Sequence, residues 1–330
     1  MSKVVIFHHT DLDGIVSNTV AFKYYHGLGY TISSQSCGYH DIDEKVLGFL
    51  SSYQYDQETT IFICDISVSR NVAEKLNSIP NPKVLLDHHQ SAFENLSSNG
   101  KNLDFSWAFV EEGDSASLMV YRWVIHQSEG RGDLELSRNL QQYNELVHLT
   151  DLWDSKSRTC TEYIDSIEKI ESLNCLLKDY GLSDFRARFI INPRVEFTES
   201  ENAVIRTLIK VRDRHVKNVK VYRFKYEREG RLSLRPVYYG LAFSEKYPSE
   251  TADYVFNQDS ELSFVFIINM NNLSGSLRRS GTHDLEEQID LSKIAEQYGG
   301  GGHPYSAGFP ITMKNYYDVI SSIVRSNFYI

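Results

Sequence analysis

The feature that most restricts the fold is an alternation of short apolar runs with helical segments through the first hundred residues. Val4-Val5-Ile6-Phe7 reads as a buried strand, and the apolar spacing from Ile15 to Tyr25 reads as the helix that follows it. Thr60-Ile61-Phe62-Ile63-Cys64 is a second buried run, Asn71 to Ser78 supplies another helix, and Lys83-Val84-Leu85-Leu86 is a third strand. Buried runs separated by helices predict a mostly parallel sheet flanked by helices. Helical spacing returns from Ser115 to Ser128, where Asp114 or Ser117 is placed to cap the first turn, and again from Leu136 to Leu152.

With 330 residues the chain is long enough for two cores. Pro193 breaks the first half, and Glu199 to Val219 reads as one connecting helix, so the expected division is a first domain over 1–192, a linker over 193–219 and a second domain over 220–330. In the second, Val219 to Tyr226, Tyr238 to Phe243, Leu262 to Met270 and Leu273 to Leu277 read as strands, with helices near Ala252 and from Leu291 to Tyr298. Asn271-Asn272 suggests a hairpin between the last two strands, and the half is expected to be a smaller α/β domain. No internal repeat or low-complexity tract interrupts either half.

A formal net charge of −10 argues against a protein that coats long nucleic acid by charge alone. One stretch departs from it: Arg206 to Arg231 carries ten Lys or Arg against Asp213, Glu227 and Glu229, which reads either as a solvated face or as an electropositive wall guiding an anionic strand. Cys37, Cys64, Cys160 and Cys175 form no close pair, as expected of reduced thiols in a cytoplasmic protein. No apolar stretch approaches the length of a membrane span, so no membrane partner is expected.

The chemistry is written in where the Asp and His residues fall. Each cluster follows an expected strand directly, at what would be the carboxyl edge of one parallel sheet. His9, Asp11 and Asp13 follow the first strand, and alternate positions on an extended loop would let them converge, with Gly14 allowing a tight turn into the helix. Asp65 follows the second strand and Asp87-His88-His89 the third; Asp151 stands in a mostly apolar helical stretch, with Asp154 as its rival. Oxygen and imidazole donors without thiolate suit Mn²⁺ or Mg²⁺ better than structural zinc, and there are too many for a single ion. Two ions about 3.5–4 Å apart, sharing a carboxylate, would activate a water between them and neutralise an attacked phosphate, which is phosphoester hydrolysis.

His9-Thr10-Asp11-Leu12-Asp13-Gly14, Asp65, Asp87-His88-His89 and Asp151 resemble, in order and spacing, the four motifs of the DHH phosphoesterase superfamily. Ser276-Leu277-Arg278, Ile294-Ala295, Tyr298-Gly299-Gly300-Gly301-Gly302-His303-Pro304 and Ala307-Gly308-Phe309 resemble its associated substrate domain, so the likeness spans nearly the whole chain. The resemblance implies that His9, Asp11 and Asp65 hold one Mn²⁺ while Asp13, Asp65, His88 and Asp151 hold the other, with Asp65 bridging. It further implies that Asp87 orients a ligating imidazole and that His89 polarises the scissile phosphate, while His8 has no motif counterpart and is read as structural.

Within the same resemblance Arg278, Gly300, Gly301, Gly302 and His303 bind the nucleotide, the glycines as a loop whose bare N–H groups form a nest for phosphate. Tyr305 and Phe309 are candidates to stack on a base, Phe309 being equally a core residue. The function these motifs imply is hydrolysis of short single-stranded oligonucleotides, about two to five residues long, to mononucleotides by a water activated between two metals, with the second domain closing over the site. Dinucleotide phosphodiesterases, 3′-phosphoadenosine 5′-phosphate phosphatases and RecJ-type exonucleases share the scaffold and stand as alternatives, as does a nucleotide sensor without turnover. Inorganic pyrophosphatases of the superfamily lack the glycine signature. A second copy of the chain is a candidate partner that no residue pattern specifies.

Overall fold

The computed structural model describes residues 2–52, 56–111, 113–128, 138–151, 161–226, 237–280 and 289–312. The chain divides into two compact units, 1–206 and 207–330.

The first unit alternates strands and helices: β1 (Lys3–His9), α1 (Leu12–Gly27), β2 (Thr31–Cys37), α2 (Ile42–Leu50), β3 (Thr60–Cys64), α3 (Arg70–Asn77), β4 (Lys83–Asp87), α4 (Gln90–Leu96) and β5 (Ala108–Val110). It continues through α5 (Ala116–Ser128), α6 (Arg138–Asp151), α7 (Thr161–Ile191) and the start of α8 (Glu199–Asn218). Gly181 breaks the helical path of α7 with φ of 71°. The five strands run in the order β2-β1-β3-β4-β5, every neighbouring pair parallel.

The composition of each strand explains its place. β3 is buried at all five positions, as a central parallel strand covered on both faces must be. Alternate residues Val5, Phe7, Ile61, Ile63 and Leu85 form a core with Val46, Phe49, Val72, Leu76 and Trp107 on one face. Phe62 turns to the other face, where Tyr25 and Trp123 meet its edge. β2, with the sequence TISSQSC, is an edge strand and mostly half-buried or exposed. The apolar-run signal finds β1, β3 and β4 but passes over β2 and the three-residue β5, because neither contains such a run.

In the second unit β6 (Val221–Tyr226), β7 (Val237–Phe243), β8 (Leu262–Asn269), β9 (Ser274–Arg279), β10 (Gly301–His303) and β11 (Ser306–Pro310) form one sheet, in the order β10-β11-β9-β8-β7-β6. Helix α9 (Pro248–Gln258) is the crossover between β7 and β8, the one parallel pair; the other pairings are antiparallel, and β8 and β9 form the expected hairpin. Helix α10 (Leu291–Gln297) packs against β9, β10 and β11.

Cys37, Cys64 and Cys175 are buried free thiols. Among the described residues no helix is long and apolar enough to cross a membrane.

His8 shows what burial in the sheet does to a titratable group. Its Nδ1–H donates to the His9 carbonyl at 2.7 Å, and burial pushes the imidazole pKa down to about 4. The folded chain therefore binds this proton less readily than the unfolded chain, so His8 costs nothing near neutrality and destabilises progressively as pH falls from about 6.5 towards 4. His8→Asn, whose amide keeps the donor, is expected to lose about 2 kcal/mol less stability than the parent between pH 7 and pH 5, measured by urea unfolding in EDTA.

Candidate metal centre

In a parallel sheet of order 2-1-3-4-5 the chain reverses direction between β1 and β3, and the crevice beyond the carboxyl ends of those two strands is the natural ligand site. Every donor of the first cluster sits there. His9 ends β1, and Asp11 caps α1, its Oδ1 accepting from the Gly14 N–H at 3.0 Å. Asp13 lies in the first turn of that helix and is buried, so the three residues converge across a strand end and a helix start and not along the extended loop expected from sequence. Gly14 is required at the junction, because a Cβ there would stand 2.5 Å from the His9 carbonyl oxygen.

Asp65, directly after β3, has a left-handed backbone with φ of 60°, a strained conformation for a residue with a side chain, and its N–H donates to Leu86 O at 2.9 Å. The conformation sets its buried carboxylate between two imidazoles. Oδ2 lies 3.7 Å from His9 Nδ1, and Oδ1 lies 3.4 Å from His88 Nε2. His9 Nδ1 also approaches Asp11 Oδ2 at 2.8 Å, and His88 Nε2 stands 3.9 Å from Asp13 Oδ2.

These distances fit a divalent cation. Bonds of about 2.0–2.2 Å to oxygen and nitrogen put neighbouring ligand atoms roughly 3 Å apart and opposite ones about 4.3 Å apart. The donor atoms of His9, Asp11 and Asp65 lie within 4.8 Å of one another, and so do those of Asp65, Asp87, His88 and His89. Asp65 is common to both groups. The donors are carboxylate and imidazole throughout, the set that hard and borderline cations prefer. Burial, reinforced by the neighbouring His89, pushes the His88 pKa down, towards the neutral form a ligand needs.

Asp87 has a different task. Its Oδ1 accepts from the backbone N–H of His88 at 2.8 Å and of His89 at 3.3 Å, and from the His89 ring Nδ1 at 2.7 Å. The imidazole it orients is thus His89, whose Nε2 then accepts from the Tyr39 hydroxyl at 3.0 Å.

Asp13 couples the cluster to α5. Its two oxygens accept from Ala116 N–H at 2.8 Å and Ser117 N–H at 3.0 Å, so a carboxylate about a hundred positions away caps the helix, together with Ser115 Oγ, which accepts from Leu118 N–H at 3.3 Å. The local caps expected from sequence are engaged elsewhere: Asp114 pairs with Arg122, and the Ser117 hydroxyl meets that of Ser115 at 3.1 Å. His148 of α6 reaches the same helix start, its Nδ1 accepting from Ser115 N–H at 3.2 Å. Burial lifts the Asp13 pKa above its ordinary value, against the pull of His88 and the helix amides.

Two residues of this centre carry no signal in the sequence reading, Tyr39 and His148. Tyr39 follows β2, and the rule that found the other clusters finds it once that strand is recognised. Asp151 is the last residue of α6, three positions after His148; its side chain lies outside the described residues, as does Asp154 entirely.

In the second unit, the tract expected to form a phosphate-cradling loop closes a helix and enters a strand. Gly299 closes α10 in the left-handed region with φ of 78°; its N–H donates to Glu296 O at 3.0 Å and that of Gly300 to Ala295 O at 2.9 Å. Gly301 to His303 then form β10 against β11, with the His303 side chain outside the described residues. A Cβ on Gly300 would stand 2.1 Å from Gly308 O, and one on Gly302 2.6 Å from Ser306 O, whereas one on Gly301 would meet nothing within 4 Å. Arg278 on β9 is largely enclosed: Nε donates to Ser249 Oγ at 3.3 Å and Nη1 to Leu277 O at 2.9 Å, and burial lowers its pKa against the charges of Asp253 and Glu250.

Phe309 is core, packed on Tyr298 at 4.8 Å and Phe266 at 5.5 Å between ring centres, so it offers no face to a base, while Tyr305 is half-buried. Within the basic run Arg223 is committed to Asp259 and Glu261 and lies over the Tyr238 ring. The glycines separate by test: Gly300→Ala is expected to destabilise the second unit by about 2 kcal/mol or more, and Gly301→Ala to change it by less than about 0.5 kcal/mol, read from chemical unfolding.

No established family profile matches the sequence. Oligoribonuclease NrnB of Bacillus subtilis (strain 168) is 27% identical over 328 residues, covering 94% of this chain and 73% of the relative. Among solved structures, RecJ of Thermus thermophilus in complex with Mn²⁺ superposes with a TM-score of 0.54 at 12% identity, over 97% of this chain and 51% of that one. The pGpG-specific phosphodiesterase PggH of Vibrio cholerae gives a TM-score of 0.50 at 11% identity, over 98% of both chains. The chain therefore has the fold of these proteins.

Proposed function

We propose that this chain, which belongs to the DHH phosphoesterase superfamily, is a divalent-metal-dependent phosphodiesterase that hydrolyses short single-stranded oligonucleotides to mononucleotides. The observation that carries the reading is Asp65, whose two carboxylate oxygens each face a different imidazole, within two groups of carboxylate and imidazole donors that share it. The oligoribonuclease of Bacillus subtilis, alike over nearly the whole chain, supports oligonucleotides as the substrate class.

In this reading His9, Asp11 and Asp65 hold one ion, and Asp13, Asp65, His88 and Asp151 hold the second, with Mn²⁺ preferred and Mg²⁺ an alternative. Ions held by these residues would supply Lewis acidity to the phosphate and activate the attacking water. Asp65 fixes the spacing of the two donor groups through its constrained backbone. Asp13 keeps its carboxylate in place by accepting two amides of α5, so that it faces His88 without having to reorient. Asp87 accepts from His89 Nδ1 and so fixes the orientation of that imidazole, whose Nε2 stands beside the Tyr39 hydroxyl at the cluster, in place to polarise a phosphate oxygen once that hydroxyl turns aside. In the second unit Arg278, Gly300, Gly301, Gly302 and His303 take the nucleotide, Gly301 being the glycine of the tract whose open Cα lets a phosphate approach the backbone.

The test is chromatographic. Purified protein is incubated with 5′-phosphorylated RNA and DNA dinucleotides and a long single strand, each with Mn²⁺ and with EDTA. Mononucleotides are expected from the dinucleotides with Mn²⁺ and not with EDTA, and more slowly from the long strand; equal rates on both, or no Mn²⁺-dependent product, overturn the reading. Asp65→Asn is expected to lower turnover by about a thousandfold or more, because both ions lose a charged ligand while Asn tolerates the left-handed backbone.

A further inference from the structure

We propose that Tyr39 is a nucleobase-binding residue, its exposed ring receiving the base adjacent to the phosphate that the Asp–His cluster holds. The inference rests on the proposed function and adds the group that grips the nucleoside in the first unit.

Three observations carry it. Tyr39 leaves 56% of its surface exposed although its ring lies directly at the cluster, 5.0 Å from the His9 ring centre at an interplanar angle of 49° and 5.8 Å from that of His89 at 87°. It thus touches one imidazole from each side of the bridging Asp65 while keeping much of itself open to solvent. A phosphodiester seated on the cluster carries a nucleoside on either side, and this ring lies within reach of one of them. Exposed aromatic faces beside an anion site are what single-stranded nucleic acids stack upon, because every base has a π-face.

The second observation is the rigidity of the ring's support. Asp41 Oδ1 accepts from Gly38 N–H at 2.8 Å, and the Gly38 carbonyl accepts from the N–H groups of Asp41 and Ile42, each at 3.1 Å. Asp41 also pairs with Lys45 at 2.6 Å, and Lys45 Nζ donates to Ser36 O at 2.7 Å, tying the turn back onto β2. Residue 39 is therefore presented on a braced turn, so little order has to be imposed on it when a ligand arrives.

The third is the hydroxyl. It meets His89 Nε2 at 3.0 Å, with the two rings at 87° to one another, which ties the exposed aromatic surface of Tyr39 to the cluster. A large, flat, uncharged partner matches such a surface, and a purine covers it better than a pyrimidine. Phe309, by contrast, is enclosed by Tyr298 and Phe266 and offers no such surface.

The experiment compares the parent protein with Tyr39→Leu and Tyr39→Phe. Each is assayed with Mn²⁺ on an adenylate dinucleotide and on two analogues in which one base or the other is replaced by hydrogen, and each is titrated with AMP by calorimetry; thermal melts check folding. Tyr39→Leu is expected to raise KM and weaken AMP binding by about tenfold, with a smaller change in kcat, the loss that one stacked base implies. Tyr39→Phe, which keeps the ring, is expected to restore KM and AMP affinity, and the penalty of Tyr39→Leu is expected to vanish on one of the two analogues. Unchanged KM and AMP affinity in Tyr39→Leu, or an equal penalty on both analogues, overturns the proposal. Should the parent protein turn over no dinucleotide, the proposed function falls, and the AMP titration still decides whether Tyr39 binds a base.

Discussion

The site depends on the register between β1, β3 and β4. His8 pairs with Cys64 and Cys64 with Leu86, so the residues one step beyond, His9, Asp65 and Asp87, end level with one another at the carboxyl edge. A slip of one residue would turn every core side chain of the moved strand to the wrong face, so the packing of Val5, Phe7, Ile61, Ile63 and Leu85 that fixes the register also fixes the donors. The left-handed turn at Asp65 then directs its carboxylate between His9 and His88. Burying a carboxylate there is unfavourable by several kcal/mol unless positive charge or hydrogen bonds meet it, and the strain at φ of 60° adds to that. A bound cation, as proposed, would offset both costs.

Asp13 extends this dependence to the helices. A carboxylate at the start of α5 is favoured by the amide dipoles it accepts from, which offsets part of the cost of its burial. The same group faces His88, so the position of α5 and the geometry of the second donor group are linked through one side chain. His148 adds α6 to the arrangement through Ser115, and the chain reaches Asp151 within one further helical turn. Hydrogen bonds through the non-motif residues Ser115, Ala116 and His148 thus connect Asp13 to the helix that ends at Asp151.

Much of this was readable from sequence wherever burial and chemistry coincide. β1, β3 and β4 are apolar because they are central, and the acids and imidazoles that follow them are conspicuous against those runs. What stayed hidden has physical causes. β2 is polar because it lies at the sheet edge, so Tyr39 directly after it had no strand to mark it. The cap of α5 is nonlocal, whereas capping rules look only at adjacent residues such as Asp114 and Ser117. Phe309 and Tyr39 are both aromatic residues near a motif, and only packing tells them apart: one is enclosed by Tyr298 and Phe266, the other is left open beside His9 and His89.

The glycine tract shows why residue type alone underdetermines role. Four consecutive glycines suggest one common purpose, a nest for phosphate, yet each meets a separate demand. Gly299 supplies the left-handed close of α10, while Gly300 and Gly302 let β10 lie against β11 where a side chain would overlap the backbone at Gly308 and Ser306. Those three would be glycine in a protein that bound nothing. Only at Gly301 does the fold make no such demand, since a Cβ there would meet open space. A glycine at a position that packing leaves free keeps the backbone open to close approach, which is what the proposed nucleotide site asks of Gly301.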